Sequence, residues 1–189
     1  MTNKNNKKGF TIIEVVLVLA IAGLIFLMVF IALPALQRSQ RNTRRRSDMT
    51  RFVSAVNDYQ TNNNYKLPFS GSESTGGPAV YDTKDTEWVK KYIIAGGDAE
   101  QFQDPDGTDY AFLKAVLPGS YNSDGEADMS SVFNRTAYNK ETAGYNVIAV
   151  YPAHHCTEKE GTIKQASGNK FFAMVMQLEG GALNCVDNQ

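Results

Sequence analysis

Apolar and polar positions divide the chain into three unlike stretches. Residues 1–9 are polar, residues 10–36 are almost wholly apolar with Glu14 as the single charge, and the remainder mixes polar segments with short apolar runs. From residue 15 to residue 36 there are twenty-two consecutive uncharged residues. As a helix they would span about 33 Å, enough to cross a hydrocarbon core of about 30 Å once. A cleaved secretory signal has an apolar region of only about 7–15 residues, and Ala32-Leu33-Pro34-Ala35 is a poor cleavage site. Beyond residue 36 the apolar positions turn periodic, with Met49, Phe52, Val53, Val56 and Tyr59 spaced by threes and fours, so the helix continues with one face toward a core. Asn62-Asn63-Asn64 and Leu67-Pro68 end it. A helix from about Thr11 to Thr61 would be roughly 77 Å long. Gly23 and Pro34 lie inside it, and Pro34 removes the bond its amide would give to Phe30, so a bend is expected there.

The later sequence predicts different elements. Residues 70–78 read as a Gly/Ser/Thr loop, and residues 85–95 as a short amphipathic helix stopped by Gly96-Gly97. Residues 145–151 and 171–178 are β-rich apolar runs, with weaker strand candidates at 110–117 and 183–186. A helix followed by clustered strands implies an α+β fold in which an antiparallel sheet lies on the helix.

Charge sharpens the division. The net charge is -1, yet residues 1–51 carry +7 and residues 52–189 carry -8. The balance excludes a generally polybasic nucleic-acid binder, and 189 residues leave room for one modest domain beside the apolar stretch. Arg38, Arg41, Arg44, Arg45, Arg46 and Arg51 follow the span. They read as a basic collar at an anionic membrane surface, with pairing to an acidic domain of another subunit as a second use. Six arginines by themselves lend only slight support to nucleic-acid binding. No phosphate-binding glycine loop, no Gly-x-Ser-x-Gly and no His-Glu-x-x-His occurs, so neither an enzymatic role nor a cofactor is expected.

Glu14 stands out, because an acid at membrane depth costs a few kcal/mol and calls for a partner or a function. Together with its neighbours it completes the string Lys7-Lys8-Gly9-Phe10-Thr11-Ile12-Ile13-Glu14 directly before an apolar helix. That string resembles the class III signal of type IV pilins and related pseudopilins. The resemblance implies cleavage by a prepilin peptidase between Gly9 and Phe10, and methylation of the new amine on Phe10. It implies that Glu14 meets the N-terminal amine of a neighbouring subunit during assembly, and that the segment between Gly23 and Pro34 lends the helix flexibility in a filament. It also implies a pilin-like ladle: a leader at 1–9, a transmembrane and filament-core helix at 10–36, an amphipathic half at 37–64 and a soluble α+β head at 65–189. The partners so implied are copies of the chain and other pilins, the prepilin peptidase, an assembly ATPase, a platform protein and the membrane. A count of positive residues would put the arginine-rich side in the cytoplasm. The resemblance puts it outside, because dedicated machinery orients such short leaders.

Three further features follow under that orientation. Cys156 and Cys185 would face an oxidising exterior and form a disulfide, as the C-terminal region of pilins often does. A transition-metal site built from His154, His155 and Cys156 is the weaker alternative, since adjacent side chains of an extended chain point apart. Asp104-Pro105-Asp106-Gly107-Thr108-Asp109-Tyr110 looks like the Asp-Pro-x-Gly-x-x-Tyr turn of major pseudopilins and some pilins. Asp104, Asp106 and Asp109 are weak calcium candidates there, without the closing glutamate of an EF-hand, and a plain Asp-Gly turn accounts for them better. The sequence reads best as a type IV pilus subunit serving adhesion, twitching motility or DNA uptake. A pseudopilin of a secretion or competence system is one alternative, and a membrane-anchored extracellular binding domain that never polymerises is another.

Overall fold

The computed structural model describes residues 9–69, 80–83, 85–97, 99–114, 121–133, 146–168 and 170–189. The leader residues before Gly9 and the Gly/Ser/Thr loop expected at 70–78 lie outside them. Two compact units are distinguished, residues 1–40 and residues 41–189.

Helix α1, Ile12–Asn62, is helical throughout, Gly23 and Pro34 included. In the first unit its large apolar side chains are solvent-exposed, as a lipid- or protein-facing helix requires. In the second unit its stripe turns inward: Met49, Phe52, Val53 and Val56 are buried and Tyr59 is partly so. The helix closes where Tyr65 donates its backbone N–H to the Gln60 carbonyl at 2.8 Å. Asn64 and Tyr65 both sit in the left-handed region, at φ 54° and 57°.

The expected short helix at 85–95 is present in altered form. Residues Val89–Ile94 are π-helical, ending on Ala95 at φ 49°, and residues Ala99–Phe102 form a 3₁₀ turn. Val89, Ile93 and Ile94 carry its buried face.

Among the described residues there are eight strands: β1 Val80–Asp82, β2 Tyr110–Lys114, β3 Glu126–Asp128, β4 Asn146–Pro152, β5 His154–Cys156, β6 Thr162–Gln165, β7 Phe172–Gln177 and β8 Leu183–Asp187. A one-turn helix, α2 Ser130–Phe133, follows β3. They build two sheets, one ordered β1-β2-β4-β7-β8 and a smaller one ordered β3-β6-β5. The expectation of a single antiparallel sheet needs amending. Among the described strands pairing is antiparallel except between β2 and β4, which run parallel with Tyr110 opposite Asn146 and Lys114 opposite Val150. The long connection from β2 to β4 allows it, since parallel neighbours need a crossover and not a tight turn.

The central strands explain why their sequences are continuous apolar runs without alternation. Ile148, Val150, Phe172, Met174 and Met176 face the cluster shared with α1. Val147, Ala149, Tyr151, Ala173 and Val175 face a second cluster with Ala127, Met129, Val132, Phe133 and Ile163 from the smaller sheet and α2. The second unit is therefore layered as helix, large sheet and small sheet. Phe52 anchors the first cluster, with ring centroids 5.5 Å from Phe102, 5.2 Å from Tyr110 and 5.6 Å from Phe112.

Candidate functional site

The N-terminal site begins where the backbone changes character. Gly9, Phe10 and Thr11 precede the first helical turn and are exposed. Thr11 is the N-cap and Glu14 stands three residues on. The Glu14 carboxylate accepts from the Thr11 backbone N–H at 2.9 Å and from its hydroxyl at 2.8 Å, while the Glu14 N–H reaches the Thr11 hydroxyl at 3.4 Å. This is a capping box, which satisfies amides that the helix itself cannot. Besides the membrane-depth charge and the assembly role that the sequence implies for Glu14, the Thr-x-x-Glu signature marks this cap. A negative carboxylate here also complements the positive end of the helix dipole. The Gly9–Phe10 bond lies just outside this cap. Cutting there would leave a free amine on Phe10, next to the residue whose amide Glu14 already holds. An alanine-sized side chain at Gly23 would meet nothing within 4 Å.

A second polar constellation lies within residues 41–189. Asp104 is buried, and its carboxylate forms a bidentate pair with Arg45, at 2.5 Å to Nε and 2.7 Å to Nη2. Asp106 adds a contact at 3.2 Å and Glu179 one at 3.3 Å to the same guanidinium. Glu179 is itself clasped by Arg41 at 2.6 and 2.8 Å. Its backbone is tied to Asn42 in both directions, at 3.1 and 3.0 Å. One turn along, Asp48 accepts from the Tyr110 hydroxyl at 3.1 Å. Burial works against the charge on Arg45, and the hydrogen bond and nearby charge of Asp104, with Glu179 and Asp106, outweigh it and hold the guanidinium more firmly protonated. Burial likewise pushes the Asp48 carboxyl up, partly offset by the Tyr110 hydroxyl and by Arg51 and Arg44. Burial, reinforced by Asp104 and Asp48, pushes the Tyr110 phenol far above its ordinary range.

The arginine collar is thus divided. Arg41 and Arg45 bind carboxylates of their own chain, and Arg51 donates to the Gln101 carbonyl, whereas Arg38, Arg44 and Arg46 are exposed. Arg45 lies four residues before Met49 on the buried stripe, a spacing that could have marked it as inward-facing.

The 104–110 segment is the expected Asp-Gly turn. Gly107, at φ 84°, donates to the Asp104 carbonyl at 2.8 Å. Asp104 and Asp106 cap the Asp106 and Thr108 amides at 3.1 and 2.9 Å, and Asp109 accepts from Gln103 at 3.0 Å. The cation against Asp104 and Asp106 is Arg45. Among the described residues no group of three or more metal-ligating side chains is assembled.

Cys156 on β5 and Cys185 on β8 are joined, with Cα atoms 5.8 Å apart, linking the small sheet to the large one. The alternative metal reading of His154, His155 and Cys156 fails on this bond, which leaves no thiol. His154 is instead engaged through Nδ1 with the Pro152 carbonyl at 2.8 Å and through Nε2 with the Tyr121 hydroxyl at 2.8 Å.

Residues 4–30 match the family model of the prokaryotic N-terminal methylation motif. No curated protein and no solved structure gives a significant match to the chain. The matched stretch carries the class III signal of type IV pilins and pseudopilins, and supports a membrane-anchored precursor of pilin or pseudopilin type. A motif of this kind implies processing by a prepilin peptidase and polymerisation into assemblies.

Proposed function

We propose that the chain is a structural, non-enzymatic subunit of a type IV pilus. Its precursor is cut between Gly9 and Phe10, methylated on Phe10 and held in the bilayer by residues 10–36 until it enters a surface filament. The observation that carries this reading is the methylation motif at residues 4–30, which runs into an apolar stretch, residues 10–36, whose only charge is Glu14. Cleavage on the cytoplasmic side of a spanning helix leaves the subunit anchored, whereas cleavage beyond it would release the domain. In the filament the apolar helices would exchange lipid for one another. A pair between Glu14 and the amine of a neighbouring Phe10 would offset part of the cost of an acid in an apolar core. Partners on this reading are further copies and other pilins, the prepilin peptidase, an assembly ATPase and a platform protein.

Mass spectrometry of the N-terminal peptide tests it. A chain that begins at Phe10 with a methylated amine is the expected result. One that begins at Met1 or just after Ala35 would make the protein a plain anchor or a secreted domain, and the assembly role of Glu14 would fall with it. The turn at residues 104–110 favours a second reading, a pseudopilin of a secretion or competence system. Imaging of cells distinguishes the two: surface filaments support the pilus, and a secretion or uptake defect without them supports the pseudopilin.

A further inference from the structure

Tyr65 closes α1 through its backbone N–H, but that role asks nothing of its side chain. Its backbone is left-handed at φ 57°, a conformation that disfavours bulky side chains and that glycine would adopt freely. Tyr65 is 67% exposed, more than any other large apolar residue among the described residues of 41–189. Among the described residues no ring contact or side-chain hydrogen bond holds it there. Glycine would make the same backbone cap with less strain, so the exposed aromatic side chain is what calls for a use.

Beside it lies a groove of about 250 Å³ lined by Asn57, Gln60, Thr61, Tyr65, Lys170, Phe171 and Asn188. Its wall is preorganised. The Gln60 amide donates to the Lys170 carbonyl at 3.1 Å, and the Asn188 amide donates to the same carbonyl at 2.9 Å and to Gln60 Oε1 at 3.4 Å. Asn188 also accepts from the Phe172 N–H at 3.0 Å. These bonds lock the end of α1, the residues before β7 and the C-terminal residues into one surface. Among the described residues the Asn57 side-chain amide has no hydrogen-bond partner. The Thr61 hydroxyl, which donates to the Asn57 carbonyl at 2.9 Å, keeps its acceptor positions open. The only charged group is Lys170, and its ammonium lies 4.9 Å over the Phe171 ring and so is already engaged.

We propose that this groove binds a single pyranose ring of a carbohydrate, stacked on Tyr65 and hydrogen-bonded by Asn57 and Thr61. A sugar ring has an apolar C–H face and a rim of hydroxyls that both donate and accept, which matches an exposed aromatic ring beside amide and hydroxyl groups. A volume just below the usual range of about 300–1000 Å³ for small-molecule sites suits one ring and not an extended ligand. The engaged ammonium and the absence of other charge in the lining fit a neutral sugar. The site does not depend on polymerisation, so it stands or falls separately from the pilus reading.

The test is saturation-transfer NMR on the full chain in detergent micelles, with empty micelles as blank. The probes are the methyl glycosides of glucose, galactose, mannose and N-acetylglucosamine at millimolar concentration. At least one is expected to receive saturation from the wild type. Tyr65→Gly is expected to abolish that transfer while melting above the wild type, because it relieves the left-handed strain. Asn57→Ala is expected to weaken binding about tenfold, the worth of one well-placed polar contact. Silence from all four probes overturns the proposal, as does unchanged transfer in Tyr65→Gly. A lower melting temperature for Tyr65→Gly also overturns it, since the tyrosine would then be serving the fold. Equal binding of an oligosaccharide ending in the preferred sugar would identify a glycan chain end as the source, and its exclusion would identify the free sugar. Either result upholds the site.

Discussion

Arg45 shows how one side chain is read differently alone and in context. Its guanidinium is 5% exposed and Asp104 is fully enclosed beside it, so each neutralises a charge the other could not carry into the interior. Arg45→Met strands the Asp104 carboxylate and is expected to cost about 3–5 kcal/mol in denaturant unfolding. Arg45→Met combined with Asp104→Leu should recover most of that loss, because a buried ion pair adds little over a well-packed apolar pair. A double variant as unstable as the single one would show that the pair organises the turn itself. Asp128 acts through hydrogen bonds to the Ser130 hydroxyl and N–H, at 2.5 and 2.9 Å, which hold its carboxyl below the ordinary value of 3.8. A depressed folded pKa means stability that is present above the unfolded value and lost as pH falls through the folded one. The melting temperature of Asp128→Asn should therefore lie below that of the wild type at neutral pH, and the gap should close on acidification below about pH 4. Asp48 has the opposite sign. Its raised pKa adds stability as pH falls through the folded value, so Asp48→Asn should flatten that gain.

Strands and turns depend on what lies on both of their faces. The Cys156–Cys185 bond closes a separation of 29 residues between β5 and β8, and the chain-entropy relation assigns it about 3–4 kcal/mol. The Cys156→Ala, Cys185→Ala double variant should lose about that much in urea unfolding. The loss should fall mainly on the small sheet, whose amide hydrogens would exchange sooner than those of β4 and β7. Gly161 precedes β6 at φ 67°, and a Cβ there would lie 2.8 Å from Leu183 Cδ1. Gly161→Ala thus adds left-handed strain to a collision with β8, and a drop in melting temperature larger than that of an exposed-loop substitution is expected. These small strands were hard to read in advance. β3, β5 and β6 have only 3, 3 and 4 residues, and His154-His155-Cys156 has no alternating pattern. The central strands were legible because burial on two faces leaves an unbroken apolar run.

Across the entire chain, the proposed function rests on residues 10–36, an apolar stretch that carries one acid. On the proposed reading Glu14→Ala leaves leader cleavage intact and stops or disorders filament growth. Electron microscopy of cells expressing only that variant checks it, and normal filaments would refute the assembly role. The capping box predicts a smaller companion effect. Thr11→Ala removes the hydroxyl that shares the carboxylate and should fray the first turn at a cost of about 1 kcal/mol. Processing should stay unchanged, as read by the N-terminal peptide.

The amino-acid order was sufficient for the long helix, its apolar and amphipathic halves, the methylation motif and the two main strands. Each of these is a local signal: an uninterrupted run, a period of 3.6, or a short string of residue types. Order alone could not place Arg45 against Asp104, run β2 parallel to β4, separate a three-stranded sheet from a five-stranded one, or set Tyr65 beside Phe171. Those outcomes join residues far apart in the chain, and they are selected by which surfaces can be buried together once the helix and strands exist. A charged residue on a helix reads as surface until the opposite charge is brought to it, and only packing brings it.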